Sequence, residues 1–247
     1  MALMVEGRVR LDQALVAQGL VPSRQRAQAM VRAGLVRVAG AMADRPDQMV
    51  DPDVSIDLER VKTYVSRGGD KLAAALDAFG TDPAGRVCLD VGASTGGFTD
   101  LLLQRGAARV IAVDVGYGQL AWSLRQDPRV TVLERVNIRY LDRLPVPADL
   151  AVIDVSFISL RLVLPRVREL LSPPGEVVAL VKPQFEVGKG AVGKGGVVRD
   201  PDQHRQVLSE LRQFVEEIGY EVAAEIPSPI LGAKGNREFL MHLRRHG

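Results

Sequence analysis

The stretch from Val87 to Leu103 constrains this chain more than any other. An apolar run, Val87-Cys88-Leu89, passes through Asp90-Val91 into Gly92-Ala93-Ser94-Thr95-Gly96-Gly97 and on to Phe98-Thr99-Asp100-Leu101-Leu102-Leu103. The pattern reads as strand, glycine turn and helix. Glycine lets the backbone turn through conformations that a side chain forbids, and Ser94 or Thr95 is expected to cap the helix so that its N–H groups face a ligand. A dinucleotide fingerprint needs a second glycine where Ser94 stands, and no Gly-Lys-Ser/Thr of a phosphate loop follows, so phosphate is not the favoured ligand. Asp90, two residues before the first glycine, and Asp114, ending the run Val110-Ile111-Ala112-Val113, suit a cationic ligand with a ribose to be held. S-adenosylmethionine has that chemistry, although the same turn also fits a nucleotide-type fold with another ligand or none.

Strands and helices alternate beyond this point: Val110 to Val115, a helix through Trp122, Val130 to Glu134, then strands at Leu150–Asp154, Val177–Lys182, Glu221–Ile226 and Glu238–Leu243. Such alternation specifies an α/β domain with a mainly parallel sheet covered on both faces. Asp154 and Lys182 each end an apolar strand, where an open α/β sheet binds its ligands. Each alone also reads as a strand-end turn residue, but two on neighbouring strands beside the glycine turn point to a site. The run Gln184 to Gly196, with five glycines and two lysines including Lys189, reads as a mobile basic loop over it. The helix Asp202–Ile218 turns Val207, Leu211, Phe214 and Ile218 inward as plain structure; Tyr117, Trp122 and Tyr140 read the same way unless one lines an adenine pocket.

At 247 residues, 47% hydrophobic and 25% charged, the chain is long enough for one large domain and one small one. It has neither a membrane-length apolar run nor a signal-type start, so a cytoplasmic protein is expected. Cys88, inside an apolar strand, reads as a buried structural thiol, and three scattered histidines build no metal cluster.

The small unit runs from Arg8 to about Leu58. Gly19 and Gly34 punctuate two short helices, and two half-buried strands follow at Leu35–Gly40 and Val54–Leu58. Its first forty residues hold Arg8, Arg10, Arg24, Arg26, Arg32 and Arg37 against Glu6 and Asp12. Forked guanidinium contacts suit phosphate oxygens; a solvated charged face is the equal alternative. Between the units, Gly68-Gly69 offers a hinge flanked by Lys62 and Arg67, after which Asp70 opens a helix carrying Lys71. By default Lys71 faces solvent there.

Arg10-Leu11-Asp12, Gly19-Leu20, Ser23-Arg24, Ala27, Gly34, Val36, Val38 and Gly40 resemble the S4-type RNA-binding domain, with Ala39 where that family more often has asparagine. With Tyr64-Val65-Ser66-Arg67-Gly68-Gly69-Asp70-Lys71-Leu72, Asp90 to Asp100, Asp114 to Leu120, Asp154 to Leu160 and Val181 to Glu186, nearly the whole chain is similar to the TlyA family of ribosomal-RNA 2′-O-methyltransferases, whose catalytic domain is FtsJ-like. Some members carry the name haemolysin. The resemblance implies a small α+β S4-type domain over residues 1–60, a linker over 61–69, and a Rossmann-like class I methyltransferase domain with a seven-stranded sheet over 70–247. It implies S-adenosyl-L-methionine as cofactor, ribosomal RNA or ribosomal subunits as partner, and no membrane.

It further implies a tetrad of Lys71, Asp154, Lys182 and Glu238. Lys182 would hold a ribose 2′-hydroxyl and, if neutral, take its proton, which needs a pKa below lysine's ordinary value of about 10.4. Asp154 and Glu238 oppose that shift, so orientation is the surer role. For the cofactor, Asp90 and the turn Gly92, Ala93, Ser94, Thr95, Gly96, Gly97 and Phe98 would hold the methionine end, Asp114 the ribose, and Val115, Asn137 and Ile138 the adenine. Arg8, Arg10, Arg24, Arg26, Arg67 and Lys189 would meet RNA. The alternatives are an RNA-binding assembly factor with an idle catalytic domain and a membrane-lytic protein.

Overall fold

A computed structural model describes residues 7–58, 63–188, 193 and 195–245. The chain divides into two compact units, Met1–Lys62 and Thr63–Gly247. Lys189 and the glycine-rich run around it lie largely outside the described residues, as do Lys62 and Lys194.

In the small unit β1 (Val9–Arg10) leads into α1 (Leu11–Ala17), followed by α2 (Arg24–Arg32), β2 (Val36–Val38), β3 (Ala41–Met42), β4 (Met49–Val50) and β5 (Ile56–Leu58). Ser23 caps α2 by accepting from the Arg26 amide, and Gly19 and Gly34 follow the two helices in the left-handed region. The helices close a core of Leu11, Leu15, Ala27, Val31 and Val36 against antiparallel strands ordered β3-β2-β5. The pair β1–β4 is additional to the expected strands, two residues long and too short to leave a periodic signal. Asp12 is fully buried at the start of α1 and accepts from Arg10 Nε at 3.1 Å, Arg24 Nη2 at 3.2 Å and Gln28 Nε2 at 2.8 Å. The Arg10 hydrogen bond, working against desolvation, holds its carboxyl well below the usual range. Arg10 and Arg24, two of the four arginines of this unit expected to meet RNA, therefore share one buried carboxylate; Arg8, Arg24 and Arg26 are exposed.

The second unit carries one sheet in the order β11-β12-β10-β9-β6-β7-β8. Its parallel strands are β6 (Val87–Val91), β7 (Arg109–Asp114), β8 (Val130–Glu134), β9 (Ala148–Ile153) and β10 (Leu171–Val181). β11 (Tyr220–Pro227) and β12 (Phe239–Arg245) close one edge antiparallel. The helices are α3 (Gly68–Phe79), α4 (Gly97–Gln104), α5 (Trp122–Arg125), α6 (Leu164–Leu170), α7 (Pro183–Glu186) and α8 (Pro201–Glu217). Two apolar clusters lie on the two sheet faces: one gathers Leu89, Ile111, Ile153 and Val181 with α6 and α8, the other Cys88, Val110, Val152 and Leu180 with α3 and α4. Cys88 is the buried thiol expected, its pKa pushed up to about 12 by burial.

Two local readings change. Gly68 and Gly69 do not act as a hinge: they form the first turn of α3, and a Cβ at 69 would lie 2.3 Å from the Tyr64 ring. Neither Ser94 nor Thr95 caps α4; Gly96 holds the cap position at φ 99°, and a Cβ there would meet Leu124 at 2.3 Å.

The β2–β3 connection is a two-residue turn, Ala39-Gly40, with both residues at positive φ (49° and 80°). That turn favours Asn-Gly, because asparagine tolerates the left-handed region better than alanine. Ala39→Asn should stabilise this hairpin by about 0.5–1 kcal/mol, read as slower native-state hydrogen exchange across β2 and β3; unchanged exchange would show that the turn carries no strain.

Candidate active site

The chain runs from β6 outward to β7 and β8 and then crosses back to β9 on the other side of β6. This is the topological switch point at which an open α/β sheet forms its crevice. There Gly92 approaches the backbone after β9 so closely that a Cβ would lie 2.5 Å from the Asp154 carbonyl oxygen. Only glycine at φ 85° permits it.

On the β7 side the crevice widens into a cavity of about 460 Å³ walled by Val113, Asp114, Val115, Val136, Asn137 and Ile138. Asp114 accepts from the Ser94 amide at 2.8 Å and the Gly116 amide at 2.6 Å, which fixes its carboxylate at the end of β7. Asn137 accepts from the Arg139 amide through Oδ1, so its Nδ2 remains to donate. On the other side a polar cavity is lined by Arg67, Lys71, Gly92, Ala93, Ser94, Thr95, Gly97, Phe98, Asp154 and Lys182.

The turn itself is not an anion nest. The amides of Gly92 and Ala93 both donate to Val113 O, that of Ser94 to Asp114 and that of Gly96 to Ala93 O. Four of its N–H groups are thus spent inside the protein, which fits a ligand held by shape and by carboxylate better than a phosphate. Gly96 lines neither cavity and serves the packing of α5.

Asp90 also departs from expectation. Its side chain is fully buried, lines neither cavity, and accepts from Thr99 Oγ1 at 2.7 Å in the first turn of α4. Burial pushes its carboxyl up to about 7, against the Thr99 hydrogen bonds. The parity of a strand explains this: Asp90 precedes the rim by two residues and points into the layer between sheet and α4.

The four candidate tetrad residues meet at one rim. Asp154 follows β9 and Lys182 follows β10. Because β12 runs antiparallel to β10 with Phe239 opposite Val181, Glu238 arrives at the same end. Lys71, far from the default solvent position, is buried on α3 and donates to Glu238 Oε2 at 2.5 Å. Lys182 Nζ forms an ion pair with Asp154 Oδ1 at 2.6 Å and donates to Ser156 Oγ at 2.9 Å. Gly232 makes room for Glu238, since a Cβ there would lie 1.9 Å from its Oε1. Lys71, Lys182 and Glu238 also line a third cavity of about 470 Å³ with Phe157, Phe185, Gln184 and Lys234. Among the described residues no group of histidine, cysteine and acidic side chains is arranged to hold a metal ion.

Residue-by-residue reading missed two members. Phe157 is 91% exposed, sits at φ 65° and leans on Phe185 with ring centroids 5.1 Å apart. Glu186, the last residue of α7, is half-buried and accepts from Ser159 Oγ at 2.6 Å and the Leu160 amide at 2.8 Å, clamping the Asp154–Leu160 segment to the one that follows Lys182. Burial raises its carboxyl pKa. The motif letters of both were visible, but neither exposure nor a partner at distance 26 or 27 in the chain has a local signal.

The FtsJ-like methyltransferase family matches residues 64–245 and the S4 domain residues 9–56. The chain is 50% identical over 241 residues to the 16S/23S rRNA (cytidine-2′-O)-methyltransferase TlyA of Mycobacterium tuberculosis, covering 96% of this chain and 90% of that one. The chain belongs to the TlyA family. A solved structure from Streptococcus thermophilus, named a hemolysin, superposes with a TM-score of 0.75 at 44% identity and covers 97% of this chain and 89% of its own. An S-adenosylmethionine dependent methyltransferase from Listeria monocytogenes, 15% identical with a TM-score of 0.56 over 74% of this chain and 100% of its own, shares the fold. The TlyA-family site thus sits on a Rossmann-like methyltransferase sheet.

A raised carboxyl pKa makes the folded state bind its proton more tightly than the unfolded one, so the associated stability is present below 3.8 and lost as pH rises to about 7. Asp90→Asn should remove that decline, and urea unfolding of parent and variant from about pH 4 to about pH 7 measures it. Parallel curves would mean that Asp90 titrates normally.

Proposed function

We propose that this chain transfers the methyl group of S-adenosyl-L-methionine to a ribose 2′-hydroxyl of cytidine in ribosomal RNA of one or both subunits, acting in the cytoplasm. The observation that carries this reading is the pairing Lys71–Glu238 and Lys182–Asp154 on the same rim as the cavity anchored by Asp114. The cofactor supplies a methyl group on a sulfonium, ready for in-line displacement.

The residues fit that cofactor. Asp114, with both oxygens already oriented by amides, accepts from the ribose hydroxyls; Asn137 Nδ2 donates to the adenine, and Val115 and Ile138 wall it. Gly92, Ala93, Ser94, Thr95, Gly97 and Phe98 shape the methionine end, with Arg67 at its edge. A 2′-hydroxyl is a weak nucleophile, so alignment matters most and contributes several kcal/mol in well-oriented systems. Lys182, held between Asp154 and Ser156, has the role of orienting the 2′-hydroxyl. Lys71 and Glu238 complete the wall opposite, and Phe157 with Phe185 offers an apolar face on which the target base can stack. Residues 1–60 act as the RNA-binding domain and 70–247 as the methyltransferase domain; of the expected connection 61–69, Thr63 onward belongs to the second unit, where Gly68 and Gly69 open α3. Arg8, Arg10, Arg24 and Arg26 contribute phosphate affinity rather than chemistry.

Lys182→Ala should abolish methyl transfer while leaving cofactor affinity within about twofold, because the group acts on the transition state more than on the ground state. Single-turnover transfer to ribosomal RNA with mapping of 2′-O-methyl groups measures it. Activity retained within a fewfold would withdraw the tetrad, and a parent chain that binds RNA and cofactor without transfer would favour the assembly-factor reading. Asp114→Ala should weaken S-adenosylmethionine binding at least about tenfold by loss of a charge-assisted contact, read by calorimetry; unchanged affinity would remove it from the pocket.

The hemolysin name of one similar structure supplies a second reading. Among the described residues no helix is long and apolar enough to cross a membrane. Leakage of dye from liposomes that persists in Lys182→Ala would favour a lytic protein.

A further inference from the structure

The chain has one tryptophan and four tyrosines. Three of these five, Tyr117, Trp122 and Tyr140, are 69, 74 and 72% exposed. A ring left in water forgoes one of the largest apolar gains available to a fold, and exposed aromatic patches mark interaction surfaces. All three stand on segments that leave the C-terminal ends of the neighbouring strands β7 and β8: Tyr117 in the turn after Asp114, Trp122 at the start of α5, and Tyr140 in the 3-10 turn Ile138–Tyr140. None of them lines the cavity of Asp114, whose walls are made by their sequence neighbours Val115, Gln119, Asn137 and Ile138.

Arginines interleave with the rings. The Arg135 guanidinium lies 4.3 Å from the Tyr117 ring centroid and that of Arg139 lies 5.0 Å from Tyr140. Arg125 and Arg129, nearby in the chain, are paired with Glu134 and Asp127, whereas Arg135 and Arg139 have no carboxylate partner among the described residues. Rings alternating with cations not neutralised by acids match unpaired bases alternating with phosphates, since bases stack on aromatic faces and guanidinium planes alike. A duplex keeps its bases stacked inside and offers this surface only phosphates.

We infer that Tyr117, Trp122, Arg135, Arg139 and Tyr140 form a second RNA contact on the methyltransferase unit that takes a single-stranded segment flanking the target nucleotide. This rests on the RNA substrate proposed above. Both places lie at the C-terminal end of one sheet, Asp154 and Lys182 after β9 and β10 and these residues after β7 and β8, with β6 between; the flanking segment extends from the target ribose in that direction.

Trp122, as the chain's one tryptophan, is its own probe. The full chain is titrated with a short pyrimidine-rich oligoribonucleotide and with a duplex of the same length. The single strand should quench Trp122 emission and the duplex should not. Trp122→Phe should bind the single strand within about threefold of the parent, whereas Trp122→Ala and Tyr140→Ala should each weaken it roughly tenfold, the size of one lost base–aromatic stack. Arg135→Ala should lower the salt slope of binding by about 0.7. Cofactor affinity should stay unchanged in all four. The inference is overturned if RNA binds without quenching, if Trp122→Ala binds the single strand within twofold, or if the cofactor alone quenches and RNA adds nothing, which would make the ring a cover of the cofactor. A parent that binds neither these probes nor ribosomal RNA overturns this and the proposed function together, whereas ribosomal RNA that is methylated while Trp122 stays silent overturns this contact alone.

Discussion

The contact on which the second unit depends is the approach of Gly92 to the Asp154 carbonyl, where a Cβ would lie 2.5 Å away. It joins the glycine turn after β6 to the loop after β9, which carries Asp154, the partner of Lys182. A side chain there would push these loops apart at the switch point of the sheet. The glycine at 92 thus sets the spacing of the loops after β6 and β9, while those at 96 and 97 seat α4 against Leu124 and Ser66. Three glycines of one turn serve three separate packing demands.

The rim assembled around that contact holds two lysines and two acids, largely buried. Charges taken from water are costly unless paired, and each lysine here has its own carboxylate, so the cluster is neutral as a whole. Ser156 and the Glu186 clamp then restrict where the Lys182 ammonium sits. The small unit uses the same device. Asp12, fully buried, orders Arg10, Arg24 and Gln28 at a surface that repulsion between guanidinium groups would otherwise spread. In both units an acid placed beside a cation fixes where the charged group sits.

Much of the architecture was legible along the chain because it rests on local chemistry. The apolar run into Gly92, the alternation after it, the left-handed glycines ending α1 and α2 and the charges ending β9 and β10 all announce themselves within a few residues. The motifs carried the family. Where local reading failed, it failed at positions whose environment comes from elsewhere in the chain: Asp90 looks like a ligand residue because it precedes the glycines, yet the pleat turns it beneath α4 to Thr99. Gly68 and Gly69 look like a hinge because two glycines adjoin, yet Tyr64 packs against the space where a side chain would be.

The sequence by itself determined the order of the elements, the strand ends at which charge escapes the sheet, and the chemical types available there, because these depend on periodicity and on residue identity alone. Only the tertiary structure decided which lysine meets which acid. Lys71 and Glu238 are 167 positions apart and meet because β12 returns antiparallel beside β10, delivering its first residues to the end of the sheet where the parallel strands finish. It also decided that Asp90 is sealed in, that Glu186 clamps a loop, and that Tyr117, Trp122 and Tyr140 stay in water. Burial and pairing are properties of what surrounds a side chain, and for these residues the surroundings are supplied by strands and helices distant in the chain.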